Sequence, residues 1–182
     1  MEKPETFVSD LAIIGIYYFK SGENLKQELQ YLIDNNIKDK GEFQLTNALE
    51  NMKNKGLGFT TGEVEEWLDC GNKDATVHTC ERILHHNANF DSYKNVKIIE
   101  SKIIQPCYIG AGSTIENSTI GPNVSVGVNT KIKNSNVSSA IVQDNSNLEN
   151  ADINNSMIGN HVRFNGNNIK QEVSIGDFCE IK

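Results

Sequence analysis

Residues 109–127 read IGAGSTIENSTIGPNVSVG. In this stretch an aliphatic residue followed by Gly opens each short block, and the same dipeptide returns at Ile158-Gly159 and Ile175-Gly176. An aliphatic or aromatic residue also stands at nearly every fifth or sixth step, at Ile104, Ile115, Ile120, Ile132, Val137, Val142, Leu148, Ile153, Phe164, Ile169 and Ile181. The chain from about residue 98 onwards therefore follows one short repeat.

This period excludes the two ordinary secondary structures. An amphipathic helix places apolar residues three and four apart, and a half-buried strand places them two apart. A fixed period of five to six predicts a solenoid, in which each hexad forms one short face and then turns a corner. About 85 residues at about 17 per coil give about five coils.

The residue types suit the inside and the corners of such a coil. The large aliphatic residue points inward, and the next residue is small because the chain bends there. A small residue also recurs four positions after the inward aliphatic, at Ser113, Val124, Thr130, Val162 and Cys179. Asn tolerates left-handed backbone at turns, and it recurs at Asn117, Asn123, Asn129, Asn134, Asn145 and Asn160. The pattern resembles the left-handed parallel β-helix of hexapeptide-repeat proteins. An irregular Asn-rich β region is the alternative, but too many positions agree for accidental periodicity.

Composition limits the class of protein. The chain has 182 residues, a net charge of −7 and a pI of about 5.1, so we expect no nucleic-acid partner. It contains no apolar stretch of the roughly 18 residues that span a bilayer, and the charged sequence MEKPETFVSD is no signal peptide. Four cysteines without metal-binding spacing favour reduced thiols in a cytoplasm. Core packing is the simplest role for Cys107 and Cys179.

Residues 1–90 lack the repeat and predict α/β structure. Residues 11–19 are nearly all apolar, which is typical of a strand buried on both faces. Apolar residues at helical spacing predict helices over about 23–35 and 43–55. Residues 57–68 indicate one or two short strands, and Asp74 is a candidate N-cap for a third helix. Residues 85–93 indicate a polar linker.

A single apolar strand with three helices does not complete a sheet. We therefore predict that residues 1–90 are the second half of a larger α/β domain, and that residues 95–182 form the all-β left-handed β-helix.

Four motifs then occur in order. They are Glu2-Lys3-Pro4, Gly15-Ile16-Tyr17, GEFQLTN at 41–47 and WLDCGN at 67–72, and the repeat follows them. In order and spacing they resemble the sugar nucleotidyltransferases, above all the glucose-1-phosphate thymidylyltransferase group with a C-terminal β-helix. Asn72 and Asn47 depart mildly from that pattern, which commonly has Thr and Asp there.

The resemblance implies a reaction between a nucleoside triphosphate and a sugar 1-phosphate, which gives an NDP-sugar and pyrophosphate. It assigns Glu2 to the sugar hydroxyls and Lys3 to the sugar phosphate, as a point charge. Ile13 and Gly15 match the strand whose backbone lies against the sugar. Asp69 matches one of two carboxylates on Mg²⁺, an ion that prefers few carboxylates together with phosphate oxygens and water.

The chain also differs from the family that it resembles. The family's Gly-rich loop, with the Arg and Lys that cradle the nucleotide phosphates, has no counterpart before Glu2. The second metal aspartate would also lie in that part. We therefore expect a sugar-side half-site, half a magnesium site and no turnover by these residues alone.

Two other functions fit the repeat. Many hexapeptide-repeat proteins are acyl-CoA-dependent acetyltransferases with a catalytic His, and His161 lies in the repeat; a solvated corner is its simpler role. The β-helix could instead be a scaffold alone. Because solenoid ends need caps or partners, we expect a homo-oligomer formed through the β-helix, and no membrane partner.

Overall fold

The computed structural model of the chain describes residues 6–7, 9, 13–87 and 95–182. They divide into a front unit, up to Trp67, and a solenoid unit, from Leu68 onwards. The predicted division into residues 1–90 and 95–182 assigns the first segment to a larger α/β domain and the second to the β-helix. That assignment stays a prediction. Among the described helices, none combines the length and the apolar character needed to cross a bilayer.

Two helices form the core of the front unit, and both confirm the helical spacing of the sequence. Helix α1 spans Gly22–Asp34 and helix α2 spans Leu45–Asn54. The Ser21 side chain caps α1 by accepting a hydrogen bond from the Asn24 N–H at 3.4 Å. Leu32 from α1 and Met52 from α2 are buried.

The predicted strands of the front unit are absent from its described residues. Residues 13–19 and 57–67 carry no strand, and the side chains of Ile13 and Tyr18 are 61% and 88% exposed. The physical reason is that a strand buried on both faces needs hydrogen-bonded neighbours, and the described part of this unit supplies none. Residues 11–12, the start of the predicted strand, lie outside the described residues.

Helix α3 opens the solenoid unit and spans Lys73–His86. The predicted N-cap Asp74 is wrong: the cap is Asn72, whose side chain accepts from the Ala75 N–H at 2.9 Å. Asp74 lies in the first turn instead, where a carboxylate suits the helix dipole. The helix runs through His86, so it includes the start of the predicted linker, and residues 88–93 of that linker lie outside the described residues.

Short parallel strands make up the rest of this unit. They are β1 Lys97–Ile99, β2 Lys102–Ile103, β3 Cys107–Ile109, β4 Thr114–Glu116, β5 Thr119–Ile120, β6 Val124–Val126, β7 Lys131–Lys133, β8 Asn136–Val142, β9 Asn147–Glu149, β10 Asp152–Ile158, β11 Arg163–Asn165, β12 Lys170–Gln171, β13 Ser174–Ile175 and β14 Glu180–Ile181. One face is the sheet β1-β4-β7-β9-β11-β14. The other two faces share β8 and β10, which bend at a corner.

The strand register confirms the predicted solenoid of about five turns. Lys97 pairs with Thr114, and Thr114 pairs with Lys131. Equivalent corner residues bond to each other across 17 or 16 positions, as in Ser135 to Ser118 and Ser146 to Thr130. The fold is consistent with a left-handed β-helix.

The inward aliphatic column forms the core as predicted. The buried members from the sequence pattern are Ile115, Ile120, Ile132, Val137, Val142, Leu148, Ile153 and Phe164. Each fully buried aliphatic side chain contributes about 1.5–3 kcal/mol relative to an exposed one. Three expected inward positions differ. Ile103 rather than Ile104 packs against the core, in register with Ile120, and Ile169 is 63% exposed because Gln171 takes the register position after Ile153. Ile181 is 40% exposed because no described coil lies beyond it.

The corners also follow the sequence, with one exception. The predicted left-handed backbone is present at Asn117, Asn123, Asn129, Asn134 and Asn145, where φ lies between 46° and 62°. Asn160 is not among the left-handed residues, and its neighbour His161, with φ 56°, takes that conformation. His161 lies 16 positions after Asn145, as Asn145 does after Asn129, so the turn keeps its register and a residue other than Asn occupies it.

Buried hydroxyls at one corner provide hydrogen bonds that the repeat did not predict. Ser113 Oγ accepts from the Thr130 N–H at 3.0 Å and donates to the Gly127 carbonyl at 2.8 Å. Ser146 Oγ accepts from the Val162 N–H at 3.0 Å in the same way. Each hydroxyl satisfies a buried N–H group, which would otherwise cost about 1–3 kcal/mol.

Candidate functional site

Asp69 lies in the turn just before α3, with an exposed side chain. Its Oδ1 accepts from the Cys70 N–H at 2.8 Å, and its main-chain carbonyl accepts from Thr79 Oγ1 at 2.6 Å. A Cβ added to Gly71 would come within 3.0 Å of Asp69 Oδ2. The turn therefore orients an accessible carboxylate and leaves space beside it.

This carboxylate fits one position of a magnesium site. Mg²⁺ takes hard oxygen ligands and is commonly held by one or two carboxylates plus phosphate and water. No group of three or more potential metal-binding side chains exists among the described residues. The Asp69 carboxylate can thus offer one oxygen ligand.

The residues predicted to bind the sugar phosphate belong to the front unit. Ile13 lines a cavity of about 360 Å³ together with Tyr17, Glu50 and Lys53. Gly15 has φ +83°, and a Cβ built on it would meet nothing within 4 Å, so its backbone is open to close approach. Glu2 and Lys3 lie outside the described residues. Glu50 and Lys53 come from α2, and their helical pattern alone gave no functional signal.

The first turn of α3 is bound to the solenoid by polar contacts. Lys73 Nζ donates to the Asn155 carbonyl at 2.8 Å and pairs with Glu172 Oε2 at 3.2 Å. Asn155 Nδ2 donates to Asp74 Oδ1 at 2.9 Å. The hydrogen bond from Lys73 lowers the pKa of Asp74 below its ordinary value, and the same bond raises the pKa of Lys73. The two shifts agree, as expected for an ion pair.

The four cysteines are free and differ in accessibility. Cys107 is buried, which confirms its packing role, whereas Cys179 is exposed, which contradicts the same expectation for it. Cys179 lies in the last described coil, where nothing described covers it. Burial, with a smaller contribution from the nearby Cys107, raises the pKa of the Cys80 thiol to about 11.

We expect Cys80 to react slowly with a thiol reagent in the folded chain. Because the thiolate is the nucleophile, a pKa raised from 9.0 to about 11 lowers the reactive fraction about 100-fold near pH 8. Time-resolved labelling with mass spectrometry should show Cys70 and Cys179 modified first. In denaturant all four should react at similar rates. A folded-state rate for Cys80 equal to that of Cys70 would contradict the burial.

His161 lies at a solenoid corner. Its ring stacks on that of Phe178 with centroids 4.9 Å apart. Its main-chain N–H donates to the Asp144 carbonyl at 3.0 Å. The side chain is exposed. These contacts are those of a solvated corner residue.

The parallel solenoid follows the aspartate turn in the sequence, in the order that the resemblance to sugar nucleotidyltransferases predicts. Comparison with known proteins supports that class. The chain is 27% identical over 157 residues to a glucose-1-phosphate thymidylyltransferase of Streptomyces antibioticus, a match that covers 78% of this chain and 43% of the relative. It is 30% identical over 190 residues to the bifunctional protein GlmU of Clostridioides difficile, covering 92% of this chain and 39% of the relative.

These homologues are sugar nucleotidyltransferases, so the chain is related to that class. A second GlmU protein, from Latilactobacillus sakei, is 27% identical over 199 residues. The chain spans about two fifths of the length of the curated relatives it matches. No family model matches the chain.

Proposed function

We propose that this chain supplies the sugar side of a sugar-1-phosphate nucleotidyltransferase, which converts a nucleoside triphosphate and a sugar 1-phosphate to an NDP-sugar and pyrophosphate. The observation that carries the proposal is the Trp-Leu-Asp-Cys-Gly turn, held at the start of α3 in a chain homologous to such enzymes. The sugar phosphate attacks the α-phosphorus in line, so catalysis consists mainly of positioning and charge neutralisation.

Each predicted site residue has its own role in binding the sugar phosphate or the metal. Glu2 accepts hydrogen bonds from sugar hydroxyls, and Lys3 binds the sugar phosphate as a point charge. Ile13 contributes to the wall of the cavity, and Gly15 allows the backbone to approach the sugar closely. Asp69 holds Mg²⁺ together with a second carboxylate from outside these residues. Bound Mg²⁺ neutralises charge on the phosphates.

We also propose that residues 1–182 do not catalyse nucleotidyl transfer by themselves. This holds whichever polypeptide carries the nucleotide-binding side. The exposed apolar surface of the front unit supports this. Ile13, Ile16 and Tyr18 are all exposed, yet their segment has the composition of a buried strand. A half-domain that adds neighbouring strands would cover this surface and complete both the sheet and the site.

The proposal also covers the oligomeric state of the chain and its cellular compartment. The solenoid forms a homo-oligomer, which is supported by the open strand edges of its first and last described coils. The chain is cytoplasmic, which is supported by four unpaired cysteines. The proposed reaction does not depend on the oligomeric state or on the compartment.

The sugar-phosphate role is tested in a joined enzyme, in which residues 1–182 follow the part of the Streptomyces antibioticus relative that this chain does not match. Replacing Lys3 by Ala should raise the KM for glucose 1-phosphate at least tenfold, because a charge-assisted hydrogen bond contributes about 1.5–3 kcal/mol. Lys20→Ala, an exposed lysine of the same unit, is the matched control. Equal KM values for the two variants would contradict the role of Lys3.

A further inference from the structure

Helix α3 lies along one column of solenoid corners. Asn123 and Asn155 occupy this column two coils apart, both with left-handed backbone. Asn123 Nδ2 donates to Glu81 Oε1 at 2.8 Å, and Asn155 Nδ2 donates to Asp74 Oδ1 at 2.9 Å. The helix therefore runs against the direction in which the coils accumulate, with its first turn at the later coil.

The first turn of α3 receives contacts from two successive coils. Lys73 reaches the Asn155 carbonyl and the Glu172 carboxylate, which follow it by 82 and 99 positions. Asn155 Nδ2 also donates to Glu172 Oε2 at 3.1 Å. Asn155 is thus bonded to both charged residues of the turn and to the neighbouring coil. Such a network is better defined than an isolated surface pair.

The same helix fixes the Asp69 turn. Thr79 Oγ1 donates to the Asp69 carbonyl at 2.6 Å. The single hydroxyl proton of Thr76 faces the Asn72 carbonyl at 2.8 Å and, less closely, the Cys70 carbonyl at 3.3 Å. Asn72 caps the helix between them, at 2.9 Å from the Ala75 N–H. A shift of the first turn of α3 would therefore move the backbone that carries the Asp69 carboxylate.

We propose that the solenoid positions the metal-binding carboxylate: Asn155 and Glu172 hold the first turn of α3, and Thr79 transmits that position to Asp69. These are positioning residues, since none of them contacts the substrate. The inference rests on the proposed function for the role of Asp69 but not for the contacts themselves. It gives the solenoid a part in the active site as well as in assembly.

The test uses the full 182-residue chain and the double variant Asn155→Gly/Glu172→Gln. Gly keeps the left-handed corner and removes the side-chain contacts. The matched control is Asn134→Gly/Glu180→Gln, which also alters a left-handed corner and removes one charge. Asn134 accepts from Asn117 and Glu180 pairs with Lys182, so neither contact involves α3.

Two measurements are made on each chain. Hydrogen exchange of the amides at 70–76 should be at least threefold faster in the first variant and unchanged in the control, while the Ile132 amide keeps its protection. Mn²⁺, used as a paramagnetic probe, should broaden the Gly71 amide signal of the wild type. The Mn²⁺ concentration for half-maximal broadening should rise at least threefold in the first variant only.

Thr79→Val removes the transmitting hydroxyl without disturbing the solenoid contacts, and it should shift the Mn²⁺ curve in the same direction. An unshifted Mn²⁺ curve in the double variant, despite faster exchange in α3, would overturn the positioning proposal. Absence of Gly71 broadening in the wild type would overturn the part of the inference in which the Asp69 carboxylate binds a metal within this chain, and the kcat/KM of the Asp69→Asn joined enzyme would then decide the metal role in the proposed function. The exchange comparison then still decides whether the solenoid holds the turn.

Discussion

Replacing Gly121 by Ala is expected to lower the free energy of unfolding of the solenoid by about 3 kcal/mol or more. Gly121 has φ +107°, and a Cβ there would come within 1.9 Å of the Ile104 carbonyl oxygen. That atom belongs to the backbone of the previous coil, so it cannot move aside as a flexible side chain would. Overpacking and left-handed backbone strain therefore act together. Equilibrium denaturation followed by circular dichroism measures the loss.

Gly176→Ala is the matched control for that substitution. Gly176 also follows an isoleucine at a corner, but a Cβ there would meet nothing within 4 Å, and its φ is not left-handed. Its free energy of unfolding should change by about 0.5 kcal/mol or less. If the two variants lost the same stability, the close packing of successive coils at Gly121 would be wrong.

Replacing Asp69 by Asn in the joined enzyme is expected to lower kcat/KM for pyrophosphate release about 100-fold. The amide keeps the size of the side chain and removes the charge that is proposed to hold Mg²⁺. The backbone bond from Thr79 to residue 69 should survive, because it uses the main-chain carbonyl. Initial rates at several Mg²⁺ concentrations measure the effect, and added Mg²⁺ should restore part of the activity.

Glu65→Gln provides the control for the loss of one negative charge. Glu65 is exposed and lies four residues earlier in the sequence, and no site role is assigned to it. Its kcat/KM should stay within about twofold of the wild-type value. A loss of activity equal in the two variants would show that overall charge, rather than a metal ligand, explains the result.

The solenoid could be predicted because its determinants are local and repeated. Each coil needs the same inward aliphatic residue and the same bend, so residues such as Ile132 and Asn134 carry a signal that recurs every coil. Each position alone is weak evidence, but many positions agree, and together they predicted the solenoid. The corner at His161 shows the limit: the period places this turn 16 positions after Asn145, but the residue there is not the Asn by which the other corners were recognised.

The front unit was harder to predict because its determinants are not local. The composition of residues 13–19 is that of a buried strand, but burial depends on neighbouring strands that the described residues do not provide. The docking of α3 was also missed. Its contacts with Asn155 and Glu172 join residues more than 80 positions apart, and no periodic pattern records such pairs. The metal role of Asp69 stays a prediction from the resemblance, whereas the contact of Thr79 with the Asp69 carbonyl is visible only in the structure.

The central claim is that these residues form one side of a nucleotidyltransferase site, and pyrophosphate release from a nucleoside triphosphate and glucose 1-phosphate tests it most directly. The measurement compares residues 1–182 alone with the joined enzyme under identical conditions with Mg²⁺. We predict no release above background for residues 1–182 alone and sustained release by the joined enzyme. Robust turnover by residues 1–182 alone, or none by a folded joined enzyme, would contradict the account.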